Sequence, residues 1–529
     1  MALTTEHPHP TTEQRDPRRW WTLIVLCISL SVIGIDNTVL NVALPTLVRD
    51  LHASTASLQW IVDSYILVFA GTLLTAGSLG DRFGRKHALT TGLVIFGIGS
   101  GAAAFAPNVA TLIAFRSLMG VGAALIMPAT LSILTNVFLD PRERAKAIGF
   151  WAAISGMGIA LGPIIGGALL RHFWWGSVFL VNAPVVIVAL AAGRFLVPNS
   201  KDPSAPRLDL IGSITSIIGL SLLLYAIIEV PTKGWADRDI LFSVLGAVVV
   251  LGAFVVWERT TPEPMLDVTF FENPRFTIAS LSITLAFFAI NGSLFVLSQH
   301  LQFVLGYSPL GAGIRMAPMA LMMMSMATIA PRLNERFGSK RLVASGLTVG
   351  AIGLTILATC TEHTSYWHIA VGLVVMSAGI VCTMVPATDS IMGSLPREKA
   401  GVGSAVNDTT RQVGGALGVA VLGSLLASAY RSQLTSKIRD VHLGAGPLAS
   451  ARASVGGAIG TGNRAVAAAG RAAYVHGMHA SLLVGALVLL GAAALALAFL
   501  PAYARDDQYV LSLEDEVDTS ELALAAVAE

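Results

Sequence analysis

The chain has 529 residues, 54% of them hydrophobic and 12% charged, with a mean hydropathy of +0.70. Soluble globular domains carry about 25% charged residues, so this composition excludes one and points to a chain that crosses a bilayer repeatedly, at about 20 apolar residues per crossing. A net charge of +2 supplies no field that would recruit nucleic acid.

The polar stretch before Trp20 has no apolar segment of its own, so no cleavable signal peptide is expected. The apolar runs predict fourteen spans, at 21–44, 58–79, 88–106, 109–134, 147–170, 176–197, 209–229, 240–257, 276–304, 310–330, 341–360, 367–392, 402–429 and 479–500. Span 1 contains IDNTVLNVALP, with Asp36, Thr38, Asn41, Ala43, Leu44 and Pro45. A carboxylate at mid-membrane costs at least about 2.5 kcal/mol, so Asp36 should face a wet cavity or a partner. Proton binding or capture of a cation would use it; a packing hydrogen bond to a Ser or Thr is the plainer role. Span 2 carries Trp60, Asp63 and Tyr65 in its outer half, where Asp63 is placed to meet substrate or water.

Between spans 2 and 3 lies GSLGDRFGRK, with Gly77, Asp81, Arg82, Gly84, Arg85 and Lys86. Glycine allows a tight turn there, and Asp81 can accept from basic groups at neighbouring helix ends. Span 4 reads LIAFRSLMGVGAA, with Leu112, Arg116, Gly120, Gly122 and Ala124. Arg116 stays charged and would favour the ionised form of a nearby carboxylate; snorkelling to an interface is the alternative. Span 5 contains GIALGPIIGG, in which Gly158, Gly162, Pro163, Gly166 and Gly167 make a flat, closely packed helix face with a proline kink.

Glu229 closes span 7 and carries no assigned role. Span 10, MAPMALMMMSMATIAP, holds adaptable methionines and no acid, which disfavours dications as preferred substrates. Arg315 at its outer end is expected to snorkel. Asp389 stands near the inner end of span 12 as an interfacial acid. Span 13 reads AVNDTTRQVGG, and Arg411 stands one turn from Asp408, which is either a structural ion pair or a functional acid. Residues 430–478 form a long outer loop, rich in Ala and Gly, that suits a short helical hairpin. His476 and His479 are a turn apart but lack a third ligand, so no metal is expected. The tail past Arg505 is acidic and expected to be disordered. Cys27, Cys360 and Cys382 all fall in apolar runs and read as buried small hydrophobes. GxxxxGK[ST], GxSxG and HExxH are all missing, so neither ATP hydrolysis nor other enzyme chemistry is indicated.

A repeat organises the spans. Pro331–Lys340 reads PRLNERFGSK and aligns with GSLGDRFGRK: Arg336-Phe337-Gly338 on Arg82-Phe83-Gly84, and Glu335 on Asp81. The copies follow spans 2 and 10, an offset of eight, so two six-helix halves are separated by an inserted pair, spans 7 and 8. The expected divisions are a tail at 1–20, a first half at 21–197, the inserted pair with its loops at 198–275, a second half at 276–500 and a tail at 501–529. Basic residues such as Arg18, Arg82, Arg85, Lys86, Arg332 and Lys340 gather on one side, which places both termini in the cytoplasm.

These motifs, in this order over about residues 18–503, resemble the major facilitator superfamily, and more narrowly its fourteen-helix drug:proton antiporters, bacterial multidrug exporters. Met119 stands where that family usually has Gln, and Asn407 where relatives often carry an acid. The resemblance implies an all-α membrane protein of the major facilitator fold, working as a single chain in the inner membrane. It implies export of lipophilic, often cationic compounds against protons by alternating access, with the proton gradient in place of a cofactor. In that reading Asp36 carries the proton and Arg116 tunes it, with Asp63 and Asp408 as further candidates. The 77–86 loop is a conformational latch, and Gly158–Gly167 marks an exporter. A dedicated exporter of one natural product or lipid, an uptake symporter and a non-transporting membrane sensor or enzyme are the rival readings.

Overall fold

The computed structural model describes residues 18–501 except 139, 202–208, 263, 265, 396–399, 440 and 442, and leaves aside a few side chains within helices. The expected tails therefore lie outside the described residues, apart from their innermost positions. The regular structure described is helical throughout. The first half comprises α1 (Arg19–Asp50), α2 (Thr55–Phe83), α3 (Arg85–Ala104), α4 (Val109–Val137) and α5 (Pro141–His172), then the short α6 (Ser177–Leu180) continued by α7 (Asn182–Leu196). The inserted pair is α8 (Leu210–Lys233) and α9 (Arg238–Thr260). The second half comprises α10 (Pro274–Gln299), α11 (Pro309–Phe337), α12 (Ser339–Ala358), α13 (Tyr366–Met392), α14 (Ala400–Lys437), the short α15 (Ala445–Ala453) and α16 (Val455–Gly460), and α17 (Arg464–Phe499). Among the described residues, thirteen helical segments are long and apolar enough to cross a membrane, and α5, with 32 residues, adds another helix of spanning length.

Helices begin where a polar side chain can take up a free backbone N–H. Ser54 accepts from Ser57 N at 3.1 Å before α2, Asn108 from Thr111 N at 2.9 Å before α4, and Ser308 from Gly311 N at 3.1 Å before α11. The repeated motif is a repeat in three dimensions. A single glycine at positive φ separates α2 from α3 (Gly84, φ +114°) and α11 from α12 (Gly338, φ +76°). Arg82 lies over Phe83 at 5.8 Å, as Arg336 lies over Phe337 at 5.5 Å.

Packing repeats as well. In the first half α1 lies on α5, and α2 and α3 lie on α4; in the second, α10 lies on α14, and α11 and α12 on α13. The halves meet along α5–α11 and α2–α14. Helices α8 and α9 pack on each other, and α8 lies against both α2 and α14. On α9, Phe242, Leu245, Val248 and Val256 are exposed, as a helix bathed in lipid requires.

The outer loop expected at 430–478 is corrected. Helix α14 continues to Lys437 and α17 begins at Arg464, so the loop contracts to the segment holding α15 and α16. Hydropathy reports contact with lipid, whereas a helix needs only its own hydrogen bonds. Both helices therefore run past the apolar run that revealed them.

Helix α1 begins and α17 ends on the same face of the bundle, here the terminal face. Among the described residues, the hydrogen bonds joining the two halves lie toward the opposite, far face. Ser298 Oγ donates to Asn41 O at 2.6 Å and Gln302 Nε2 to Val42 O at 2.9 Å. Gln59 Nε2 reaches Ala420 O at 2.8 Å, with Val419 O and Ser424 Oγ at 3.2 Å. Thr55 Oγ1 donates to Ala453 O at 3.1 Å. The far face is closed.

Candidate functional site

Near the middle of α1, Asp36 is wholly buried, and Arg116 reaches it from α4. Arg116 Nη1 donates to Asp36 Oδ2 at 2.5 Å, and its Nε to Ile61 O at 3.2 Å. The guanidinium also lies 4.2 Å from the centre of the Tyr65 ring. Asn182 Nδ2 donates to the other carboxylate oxygen, Oδ1, at 3.2 Å and to Ser100 Oγ at 3.0 Å, while Ser100 donates to Phe179 O at 2.8 Å. One cluster thus ties together α1, α2, α3, α4, α6 and α7, all within the first half. Arg116 does not snorkel, and Asp36 faces a charged partner rather than a serine or threonine. Each charge supplies what the other needs to be tolerated away from water. Any change in the charge of Asp36 must therefore be felt by Arg116 and by every helix holding it.

Sequence reasoning missed Asn182 and Ser100. A polar residue inside the apolar run FLVNAP was the available signal for Asn182. Gln59, in the first turns of α2, was missed in the same way.

The remaining acids separate. Asp63 was expected at an outer mouth, yet it is completely buried and neither carboxylate oxygen has a hydrogen-bond partner among the described residues. Depth along α2 does not decide exposure; the helix face does, and Asp63 falls on a face covered by packing. Asp408 lies 3.7 Å from Arg411, which also reaches Thr388 Oγ1 at 3.4 Å and sits over Phe287 at 5.7 Å. Arg315, near the far-face start of α11, stacks on Tyr307 at 3.8 Å and Tyr366 at 5.4 Å and donates from Nη1 to Gly311 O at 3.1 Å. Asp389 accepts from Asn334 at 3.4 Å. No group of three metal-binding side chains forms around His476 and His479 among the described residues.

The 77–86 segment ties three neighbours together on the terminal face. Asp81 accepts from Arg85 Nε at 2.7 Å, Lys86 Nζ donates to Arg194 O at 2.9 Å, and Arg85 N donates to Ser200 O at 2.9 Å. Arg82 is exposed, and Gly77 rests on Pro128 of α4. All of these contacts stay within the first half and the linker that follows it.

The span 5 glycines lie against two helices. A Cβ on Gly158 would meet the backbone of Gly34, one on Gly162 the side chain of Thr38, and one on Gly166 that of Val39, all on α1. Thr38 Oγ1 donates to Gly158 O at 3.1 Å. Gly167 instead abuts Leu310, and Pro163 O abuts Gly313, both on α11 of the other half. Helix α5 is therefore the strut between the charged helix α1 and the second half.

Comparison with known proteins places this arrangement. The profile of the Major Facilitator Superfamily matches residues 26–419. The multidrug efflux pump LfrA of Mycolicibacterium smegmatis is 36% identical over 92% of this chain and 97% of its own. The tetracenomycin C resistance and export protein of Streptomyces glaucescens is 32% identical over 93% and 95%. The methyl viologen resistance protein SmvA of Salmonella typhimurium is 34% identical over 88% and 93%. Among solved structures, a bacterial homologue of the human lysosomal transporter Spinster, inward-facing and occupied, superposes with a TM-score of 0.63 at 19% identity, covering 93% of this chain and 98% of its own.

Proposed function

Because the chain belongs to the major facilitator superfamily, we propose that it is a proton-coupled exporter of lipophilic, often cationic drugs. It is a multi-pass bacterial membrane protein, and in this reading it sits in the inner membrane with both termini in the cytoplasm. The basic residues at the terminal face support that orientation. The far face is then outside, and its closure corresponds to an inward-facing state.

The observation that carries the reading is the buried Asp36–Arg116 pair. A proton arriving from outside neutralises Asp36 and removes its hold on Arg116, which keeps Tyr65 and Ile61 O as neighbours. Helices α1 and α4 are then free to shift, and α5 transmits the shift to α11 through Gly167 and Pro163. Deprotonation toward the cytoplasm restores the pair. Drug leaves as the proton enters, with no cofactor and no catalytic step on the substrate. The Asp81–Arg85 contact holds the terminal ends of α2 and α3 in register during the exchange.

Everted vesicles loaded with a lumenal acid gradient test this reading. Adding a lipophilic cation should make the lumen more alkaline, and Asp36→Asn should abolish the response. Acidification of the lumen would instead mean symport. A dedicated natural-product exporter is the second reading, favoured by the relative named for tetracenomycin C export. Efflux of one scaffold only, out of a panel of unrelated dyes, would select it.

A further inference from the structure

His300 opens a short π-helical stretch, His300–Val304, at the far end of α10, where the ladder of α-helical hydrogen bonds is broken. Its side chain is fully buried, and neither ring nitrogen has a hydrogen-bond partner among the described residues. Two residues on either side, Ser298 and Gln302 make the bonds to Asn41 O and Val42 O that close the far face. Helix α17, which carries His479, packs against this π-helical stretch. His479 Nε2 donates to Cys360 O at 2.6 Å. It is half-buried and lines a cavity of about 560 Å³ at the far face, whose other walls include the exposed Thr361, His363, Lys437 and His476, and Glu362. Three imidazoles, His363, His476 and His479, thus line this cavity, and the helix that carries two of them packs on the stretch opened by His300.

We propose that His300 is a proton-binding site reached from the far face through this histidine-lined cavity, and that its protonation opens the far closure. Charged and titratable groups stand around the π-helical stretch on several elements. Helix α17 brings Arg471, whose Nε donates to Phe303 O at 3.2 Å, Tyr474, whose hydroxyl is engaged by Val296 O at 2.7 Å, and the two histidines. Helix α11 brings Arg315, held by Tyr307 and Tyr366, the α12–α13 loop brings Glu362, and α1 ends in Arg49 and Asp50. None of these donates to or accepts from His300 among the described residues, so a cation formed there has no compensating partner while the far face is shut. Water reaching the site as Ser298 and Gln302 let go would supply the missing partner. Protonation therefore favours the open arrangement by mass action. Since the proton must leave toward the same side before closure, His300 is a sensor of outside acidity and not the carrier that crosses.

The test uses the full-length chain in nanodiscs, with Cys27, Cys360 and Cys382 replaced by Ser and nitroxide labels at Asp50→Cys and Ser365→Cys, exposed far-face positions on opposite halves. Lowering the pH from about 8 to about 5, the range in which imidazoles change charge, should lengthen the label-to-label distance. That response should be lost in His300→Gln and again in His300→Asn. A distance that never responds to pH, or one that responds equally in both variants, overturns the proposal. Should neither variant reconstitute, the imidazole ¹⁵N signal of His300 in the parent chain decides: titration across this range supports the proposal, and an imidazole that stays neutral throughout overturns it. Failure here leaves Asp36 coupling intact, because Asp36→Asn is read by drug-induced proton movement and not by this distance.

Discussion

Arg116 and Asp36 meet at 2.5 Å with neither side chain reaching solvent, a full ion pair inside one half of a membrane bundle. Removing one partner leaves the other charge buried and alone. Arg116→Ala should therefore destabilise the protein by about 3–5 kcal/mol, read as a fall in the midpoint of thermal unfolding in detergent. Asp36→Asn with Arg116→Gln should cost much less than the sum of the two single changes, because the pair is deleted together.

Arg116→Lys tests geometry against charge. A lysine ammonium keeps the charge but cannot reach Asp36 Oδ2 and Ile61 O together, nor stack flat on Tyr65. Proton-driven dye efflux should fall by at least about tenfold, equivalent to about 1.4 kcal/mol, while a merely electrostatic role would leave it near the parent rate.

Gly162→Ala should be severely damaging, since the added Cβ runs into Thr38 where α1 and α5 touch. Gly252→Ala on the lipid-facing α9 meets nothing within 4 Å and serves as the contrast. There the change should be neutral or stabilising by up to about 1 kcal/mol, because alanine is the better helix former. Yield and unfolding midpoint of the two variants check both statements.

Gln59→Ala removes contacts from α2 to Val419 O, Ala420 O and Ser424 Oγ on α14. At a net of about 1 kcal/mol per hydrogen bond, the balance should move roughly tenfold or more toward an open far face. Labelling from the far side of a cysteine placed at Ala427, which lines the small gap beside Gln59, should quicken accordingly.

Asp81→Asn breaks a partly exposed pair on the terminal face. Such pairs contribute at most about 1 kcal/mol to stability, so the unfolding midpoint should barely move. If the contact holds the helix ends in register during transport, efflux should nevertheless fall several-fold. An unchanged efflux rate would reduce the motif to an anchor.

Much of the architecture was legible in the chain because membrane spans report themselves locally. A run of apolar residues, a capping serine or asparagine and a glycine at the break each act within a few positions of where they are read. Gly84 and Gly338 illustrate this: the aligned motifs predicted equivalent turns, and both glycines adopt positive φ between consecutive helices. The helix ends at Lys437 and Arg464 were misread for the complementary reason, since helix continues where hydropathy falls.

The sequence by itself determined the number of spans, their pairing into two repeated halves and the presence of charge at Asp36 and Arg116. Only the tertiary structure decided what those charges do. It set Arg116 and Asn182 on the two oxygens of Asp36, left Asp63 buried with no hydrogen-bond partner among the described residues, stacked Arg315 on two tyrosines and locked Gln59 across to α14. The physical reason is separation along the chain. Burying apolar surface in lipid is a property of each segment alone, whereas satisfying a buried charge requires a group from another helix. Which helix arrives, and which face it presents, is settled only when all the helices pack.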